Sequence, residues 1–195
     1  MNNESFQLTH SNVREANMGD LEALQTLDEA CFDYAWGRPE FAEALKSRGA
    51  TVILVVEHNG KLIASMAYIR LAKRSAAMIL RVAVSAPYRR RQIASQLLDM
   101  VHRELDSKTR LVMCVQESDL IAQLLLKKNK FTCMQTLPNY FTFGGATENA
   151  YEFVYGGVPV KKVPPTLKSN GGPLTVDLAN RFGGRGRQFK PDDCV

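Results

Sequence analysis

Apolar positions between residues 11 and 156 recur with two periods, and these periods predict alternating strands and helices. The predicted strands are Asn12–Ala16, Thr51–Glu57, Leu62–Leu71, Met78–Val84, Leu111–Val115, Thr132–Leu137 and Tyr151–Tyr155. The predicted helices are Leu21–Cys31, Glu40–Arg48, Gln92–Leu105 and Leu120–Lys127. Because hairpins come first and βαβ units follow, this order predicts an α/β (α+β) fold with a mixed sheet and helices on both faces.

The pattern changes at Gly156 and Gly157. Residues 157–195 contain five prolines, two glycine-rich stretches and few large apolar side chains. Such a segment buries too little apolar surface to offset the entropy lost on ordering. We therefore predict one folded domain over residues 1–156 and an extended or disordered tail over residues 157–195.

Composition and charge narrow the class of protein. The chain has 195 residues, 45% hydrophobic and 23% charged, which is typical of a globular protein. It has neither an apolar run of about 20 residues nor the pattern of a signal peptide, so we expect a cytoplasmic protein without membrane contact.

The net charge is +5, and the tail holds seven Lys/Arg against three Asp/Glu. Because the excess of positive charge lies in the tail, we expect no nucleic-acid partner for the folded domain over residues 1–156. A weak RNA contact through the tail is the alternative. The spacing of the four cysteines predicts no metal site, and homodimerisation is left open.

A candidate anion site lies between the strand Met78–Val84 and the helix that follows it. The first turn of a helix presents backbone N–H groups without partners and the positive end of the helix dipole, so it favours a phosphate. Three successive arginines, Arg89, Arg90 and Arg91, add positive charge to the loop, and Ala94 keeps the first turn free of bulk. The alternative is a basic surface loop that caps an ordinary βα unit.

Residues Leu80–Leu98 resemble the central motif of the GNAT superfamily of N-acetyltransferases, in which a strand precedes Arg/Gln-x-x-Gly-x-Gly/Ala. Here the motif is Arg89-x-x-Gln92-x-Ala94. The resemblance covers residues 11–156 and implies a mostly antiparallel sheet with one splayed pair of strands, and acetyl-CoA as cosubstrate. It implies pyrophosphate contacts by Arg89, Arg90, Arg91, Gln92, Ile93, Ala94 and Ser95, and pantetheine contacts by Val82, Ala83 and Val84.

Two residues depart from the glycines of that family. Gln92 occupies the usual glycine position of the motif, and Lys130 stands where the family has glycine before the final phenylalanine. A glutamine is acceptable if Gln92 has helical dihedrals and an outward side chain. If its amide must approach the pyrophosphate closely, affinity would fall. We expect the substitution to be tolerated because the rest of the motif is intact.

The acceptor side resembles a narrower group, the bacterial ribosomal-protein alanine N-acetyltransferases. The segments that resemble it are Leu27–Phe41, with its Cys-Phe-x-x-x-Trp pattern, and Leu137–Phe141, which the resemblance implies is a loop. The resemblance implies an acceptor groove lined by Phe32, Tyr34, Trp36, Tyr140 and Phe141. The alternative is that these aromatic side chains close the core around the splayed strands.

The catalytic residues of those enzymes are missing here. Acetyl transfer needs a base for the acceptor ammonium and often an acid for the departing thiolate. The glutamate and tyrosine that supply them in the family correspond to Cys114 and Leu126 in this chain. The substitutes nearest in sequence are Glu117 and Tyr140. The chain is therefore expected to be an acetyl-CoA-dependent N-acetyltransferase acting on a primary amine of a small molecule or of a protein, such as the N-terminus of a ribosomal protein. The alternatives are catalysis through water and positioning, or an acyl-CoA-binding sensor or interaction module with little or no activity.

Overall fold

A computed structural model describes residues 6–9, 12–47, 51–71, 75–106, 108–143 and 146–156. Seven strands and four helices are described, namely β1 (Val13–Glu15), α1 (Leu21–Cys31), α2 (Arg38–Lys46), β2 (Thr51–His58), β3 (Lys61–Leu71), β4 (Ala76–Val84), α3 (Ile93–Glu104), β5 (Arg110–Gln116), α4 (Leu120–Lys128), β6 (Thr132–Phe143) and β7 (Ala146–Tyr155). The element order predicted from the apolar pattern is confirmed. Arg48, the predicted end of the second helix, and the tail from residue 157 lie outside the described residues.

The strands form one seven-stranded sheet in the order β1-β2-β3-β4-β5-β7-β6. Every neighbouring pair is antiparallel except β4 and β5, which are joined by the α3 crossover. The last hairpin places β7 beside β5 and leaves β6 at the edge. The expectation of a mixed, mostly antiparallel sheet is confirmed.

The parallel pair opens part of the way along its length. β4 and β5 are paired only where Ala76–Ile79 lie beside Arg110–Met113. β4 then continues to Val84 and β5 to Gln116 without pairing to each other. The splayed pair implied by the resemblance is therefore present, and its opening begins after Ile79 and Met113.

Helices cover both faces of the sheet. The larger apolar core packs α3 and α4 against one face through residues such as Leu97, Val101 and Leu126. A second core packs α1 and α2 against the other face, with Leu24 and Phe41 at its centre. In the part of the chain that the structure describes, no helix is long and apolar enough to cross a membrane.

The final hairpin is longer than the sequence predicts. Leu137–Phe141 was expected to be a loop, but it belongs to β6, whose partner β7 begins at Ala146. The register shifts between Leu137 and Phe141, and Asn139 has a φ of 51°. A bulge on an edge strand accepts a proline, because the missing N–H then breaks no ladder bond. Pro138 therefore signals an irregular strand at this place.

Candidate functional site

The loop between β4 and α3 turns tightly just before the helix. Ala86–Tyr88 form a 3-10 turn, and Arg90 and Gln92 have φ values of 62° and 64°. Gln92 is the N-cap of α3 and its side chain is exposed. Only one of the two conditions for accepting a glutamine is met, because the side chain of Gln92 is exposed but its backbone is left-handed and not helical. This is the conformation that glycine adopts without steric cost, which explains the preference of the family.

Backbone donors gather at the start of α3. The first helical hydrogen bond of α3 runs from the N–H of Gln96 to the carbonyl of Gln92 at 2.9 Å. Among the described residues, the N–H groups of Ile93, Ala94 and Ser95 have no backbone acceptor in the helix, as expected for a first turn. Ala94 is buried and small, so a ligand can approach these donors. The arrangement suits an anion such as a pyrophosphate.

The three arginines of the loop point to different places. Arg89 turns back on the strand, where its Nε donates to the carbonyl of Val84 at 2.9 Å and its Nη2 lies 3.8 Å from the sulfur of Cys31. Arg90 is exposed, and the guanidinium of Arg91 lies 5.5 Å from the ring centroid of Tyr88. Arg89 therefore fixes the loop to the end of β4, Arg90 supplies charge that faces solvent, and Arg91 is half-buried beside Tyr88.

One wall of the opening between β4 and β5 is the edge of β4 that is not paired with β5. Val82, Ala83 and Val84 pair with β3 on one side and lie beyond the last residue paired with β5 on the other. Backbone groups along this edge, apart from the carbonyl of Val84 that already accepts from Arg89 and Cys31, can therefore bond an extended ligand in the manner of another strand. Ala83 packs against α1, and Val84 belongs to the core under α3.

A buried ion pair joins α1 to the opening. Asp28 is 1% exposed and accepts from Arg81 Nε at 2.8 Å and from the backbone N–H of Trp36 at 2.6 Å. Arg81 Nη2 donates to the carbonyl of Tyr34 at 2.7 Å, and its guanidinium lies 4.0 Å from the ring centroid of Phe32. Burial raises the pKa of Asp28, whereas the charge of Arg81 lowers it. The pair fixes the segment between α1 and α2 to β4.

Sequence reasoning missed this pair. A signal for each residue is visible in retrospect, because Asp28 follows Leu24 by four residues on the apolar face of α1 and Arg81 interrupts a strand of apolar residues. A charged residue at a core position indicates a partner elsewhere in the fold, since an unpaired buried charge is costly.

The aromatic residues after α1 divide between core and surface. Trp36 is only 3% exposed and packs edge-on against Phe41, with ring centroids 5.3 Å apart. It therefore matches the alternative of a core residue and does not line an open groove. Phe32 and Tyr34 are half-buried beside Arg81.

The two side chains that stand where the family has its catalytic base and acid, Cys114 and Leu126, are uncharged. Leu126 is completely buried in the core under α4. Cys114 directly follows Met113, so it lies where β4 and β5 begin to separate. Burial raises the pKa of the Cys114 thiol to about 12, against the opposing effect of its hydrogen bond with Tyr140. Cys114 is therefore a protonated thiol at neutral pH and lacks the character of a nucleophile.

The two substitutes nearest in sequence lie in different clusters. Tyr140 is 6% exposed, contacts the Cys114 thiol, and packs edge-on against Phe141 at 4.9 Å between ring centroids. Glu117 is exposed, and its two oxygens accept from Asn149 Nδ2 at 2.9 Å and from the Tyr151 hydroxyl at 2.8 Å. The structure thus places Tyr140 at the opening, whereas the carboxylate of Glu117 is engaged at the end of β5.

Several solved structures share this fold. The ribosomal-protein-S18-alanine N-acetyltransferase from Escherichia coli has a TM-score of 0.65 at 19% identity, covering 77% of this chain and 97% of that chain. Arabidopsis thaliana NAA60 in complex with acetyl-CoA has a TM-score of 0.63 at 22% identity, covering 74% and 97%. The ribosomal-protein-alanine N-acetyltransferase from Brucella melitensis has a TM-score of 0.59 at 17% identity, covering 74% and 98%. At these identities the likeness establishes the fold.

Sequence comparison gives the family. No curated protein matches the chain. The model of the acetyltransferase (GNAT) family matches residues 21–131, which is more than half of the chain and runs from the start of α1 to the residue before β6. The matched region includes the splayed strands and the loop before α3. The chain therefore belongs to the acetyltransferase (GNAT) family.

Proposed function

We propose that this protein transfers an acetyl group from acetyl-CoA to a primary amine. The observation that supports it best is the continuous path from the unpaired edge of β4, at Val82–Val84, to the backbone donors at the start of α3. Pantetheine would extend along the strand edge. The pyrophosphate would bind the amides of Arg90–Ser95, with Arg90 and Arg91 providing positive charge.

The geometry of this path supplies much of the chemistry. A strand-edge N–H can polarise the thioester carbonyl, and holding the amine beside it removes a large entropic part of the barrier. Tyr140 lies at the opening and is our candidate for the hydroxyl that assists proton transfer. Glu117 is a weaker candidate, because both of its oxygens already accept hydrogen bonds.

The acceptor we favour is a protein N-terminus, such as that of a ribosomal protein. Two of the structural neighbours are described as ribosomal-protein alanine N-acetyltransferases. Phe32, Tyr34, Tyr140 and Phe141 are proposed to flank the incoming chain, and the Asp28–Arg81 pair would hold the first two in place.

A second candidate function is an acyl-CoA-binding module with little or no transferase activity. The buried Leu126 and the neutral thiol of Cys114 favour it, because both replace groups that move protons in the enzymes this chain resembles. Both functions require the same donor site and differ only in acetyl transfer.

Thermal unfolding with acetyl-CoA, followed by a transfer assay, tests the proposal. A ligand at a hundredfold excess over its Kd stabilises by about 2.7 kcal/mol, which for a chain of this size raises Tm by roughly 5–10 °C. Arg90→Ala should weaken acetyl-CoA binding severalfold, whereas Arg103→Ala, an exposed arginine at the other end of α3, should not. Absence of any shift would refute the donor site, and a shift without acetyl transfer to peptides or polyamines would favour the binding module.

A further inference from the structure

Three polar side chains form a row across the sheet at the opening. Cys114 on β5 is the cross-strand partner of Glu152 on β7, and Glu152 is in turn the partner of Gln135 on β6. Directly paired residues project from the same face, and adjacent strands are about 4.8 Å apart. The carboxylate of Glu152 therefore lies one strand away from the position that holds the catalytic glutamate in the enzymes this chain resembles.

This row faces the side of the sheet that α1 and α2 cover. Cys114 packs with the apolar group that includes Met78 and Val112, to which Leu80 also contributes. Leu80 contributes to the core under α1 and α2 as well. The helix α3, with its proposed pyrophosphate site, packs on the opposite face. An amine that approaches the thioester from the α1–α2 side would therefore meet the row of Cys114 and Glu152.

Glu152 differs from the neighbouring carboxylates in its hydrogen bonds. Its Oε2 accepts from Gln135 Nε2 at 2.8 Å, and within the described part of the chain its Oε1 has no donor. Glu148, two pleats away on β7, accepts through both oxygens, from Gln116 Nε2 at 2.7 Å and from the backbone N–H of Ser118 at 2.8 Å. Glu117 is likewise engaged through both oxygens. Half-buried Glu152 therefore combines a held orientation with an oxygen available to a proton donor.

We infer that Glu152 is the general base that takes the proton from the acceptor ammonium, directly or through one water. The inference rests on the proposed acetyl transfer and deepens it. Glu152 accepts one proton from the ammonium and later releases it to solvent. The nitrogen lone pair forms the bond to the thioester carbon, the C–S bond breaks, and the second proton leaves the nitrogen for the thiolate of coenzyme A. Gln135 orients the carboxylate, and the protonated Cys114 beside it adds no competing negative charge.

Glu152→Gln in the full chain tests this role, because it keeps the shape and the acceptor oxygen for Gln135 but cannot take a proton. Acetyl transfer would be measured with acetyl-CoA and unblocked peptides that begin with Ala, Ser, Thr, Gly or Met. A general base contributes about 10²–10⁴-fold to the rate, so kcat/KM at pH 7 should fall at least 100-fold. The residual rate should rise more steeply with pH than that of the wild type, as the α-amino group of the peptide, with a pKa of about 8, deprotonates by itself.

Two matched variants and one binding measurement separate this role from a structural one. Glu148→Gln makes the same change on the same strand and should retain wild-type activity. Glu152→Asp keeps the carboxylate and should retain more activity than Glu152→Gln. The rise in Tm with acetyl-CoA should be equal in all three variants and the wild type, since none of them changes the donor site.

Several results would overturn the inference. A wild type that transfers acetyl groups together with a Glu152→Gln variant within twofold of it refutes the role of Glu152 and leaves the proposed function intact. Equal losses in Glu152→Gln and Glu152→Asp with an unchanged pH profile, or a lost response to acetyl-CoA, would assign a structural role. The same pH signature in Glu117→Gln would identify that residue as the base. A wild type that binds acetyl-CoA but acetylates neither the peptides nor polyamines would refute both proposals.

Discussion

Removal of one partner from the Asp28–Arg81 pair should strongly destabilise the protein. The side chain of Asp28 is 2% exposed and that of Arg81 is 13% exposed, so neither regains much water when the other is lost. Breaking a buried pair from one side costs about 3–5 kcal/mol, because an uncompensated charge remains. For Arg81→Met, we expect a fall in Tm of roughly 6–20 °C.

The pH dependence identifies the cause of that loss. Burial is the largest influence on the pKa of Asp28 and raises it, and Arg81 opposes this rise. Without Arg81 the folded-state pKa moves further above its unfolded value, so the folded state binds the proton more tightly. The charged carboxylate then costs stability above that pKa, and the cost disappears as the pH falls through it. The deficit of Arg81→Met relative to wild type should therefore shrink between pH 7 and pH 4.

The double variant Asp28→Asn/Arg81→Met supplies the control. It removes both charges while keeping an acceptor for the backbone N–H of Trp36, so it should be more stable than Arg81→Met alone. Denaturation with guanidinium at pH 7 and pH 4.5 measures the wild type, the single variants Asp28→Asn and Arg81→Met, and the double variant. A double variant that loses the sum of the two single losses, or an Arg81→Met deficit that does not depend on pH, would refute the account of a buried charge.

Two further predictions concern the donor loop and the cysteines. Gln92→Gly should stabilise the fold by about 1 kcal/mol, because a left-handed residue other than glycine carries a strain of about that size. Gln92→Ala is the control, and thermal unfolding measures both variants. A glycine variant that is no more stable than the alanine variant would contradict the strain. At pH 7.5 iodoacetamide should modify the exposed Cys133 and spare Cys114, whose thiol has a pKa of about 12. Peptide mapping by mass spectrometry measures the labelling of each cysteine, and rapid labelling of Cys114 would disprove its protonated state.

The features that sequence predicted well are local ones. The loop and the helix start are adjacent in the chain, so Arg89-x-x-Gln92-x-Ala94 places charge and backbone donors together without knowledge of the rest of the fold. The order of strands and helices along the chain, and the mixed sheet that it implies, followed from local apolar periods for the same reason. The two residues that stand where the family has glycine also follow a local rule, since Gln92 and Lys130 both have a positive φ, of 64° and 65°. The backbone path is kept at the cost of strain at each residue.

The features that sequence missed depend on register between distant strands. Cys114 and Glu152 are 38 positions apart, and only the pairing of β5 with β7 brings them opposite each other. A slip of one residue would turn Glu152 to the other face. The bulge before Tyr140 has the same effect on β6, because it decides whether the hydroxyl reaches the thiol of Cys114. Proximity along the chain favoured Glu117, whose carboxylate is held elsewhere by Asn149 and Tyr151.

These two kinds of feature make different demands on the sequence. The donor site consists largely of backbone groups, so any side chain that tolerates the local φ can occupy its positions, and the family motif remains recognisable after a glycine is lost. A proton-transfer group has to present one oxygen at one place on one face of the sheet, and neighbouring strands offer equivalent positions for it. A carboxylate can therefore move from β5 to β7 without disturbing the donor site. The loss of glutamate at position 114 is for that reason weak evidence against catalysis while Glu152 stands directly opposite it.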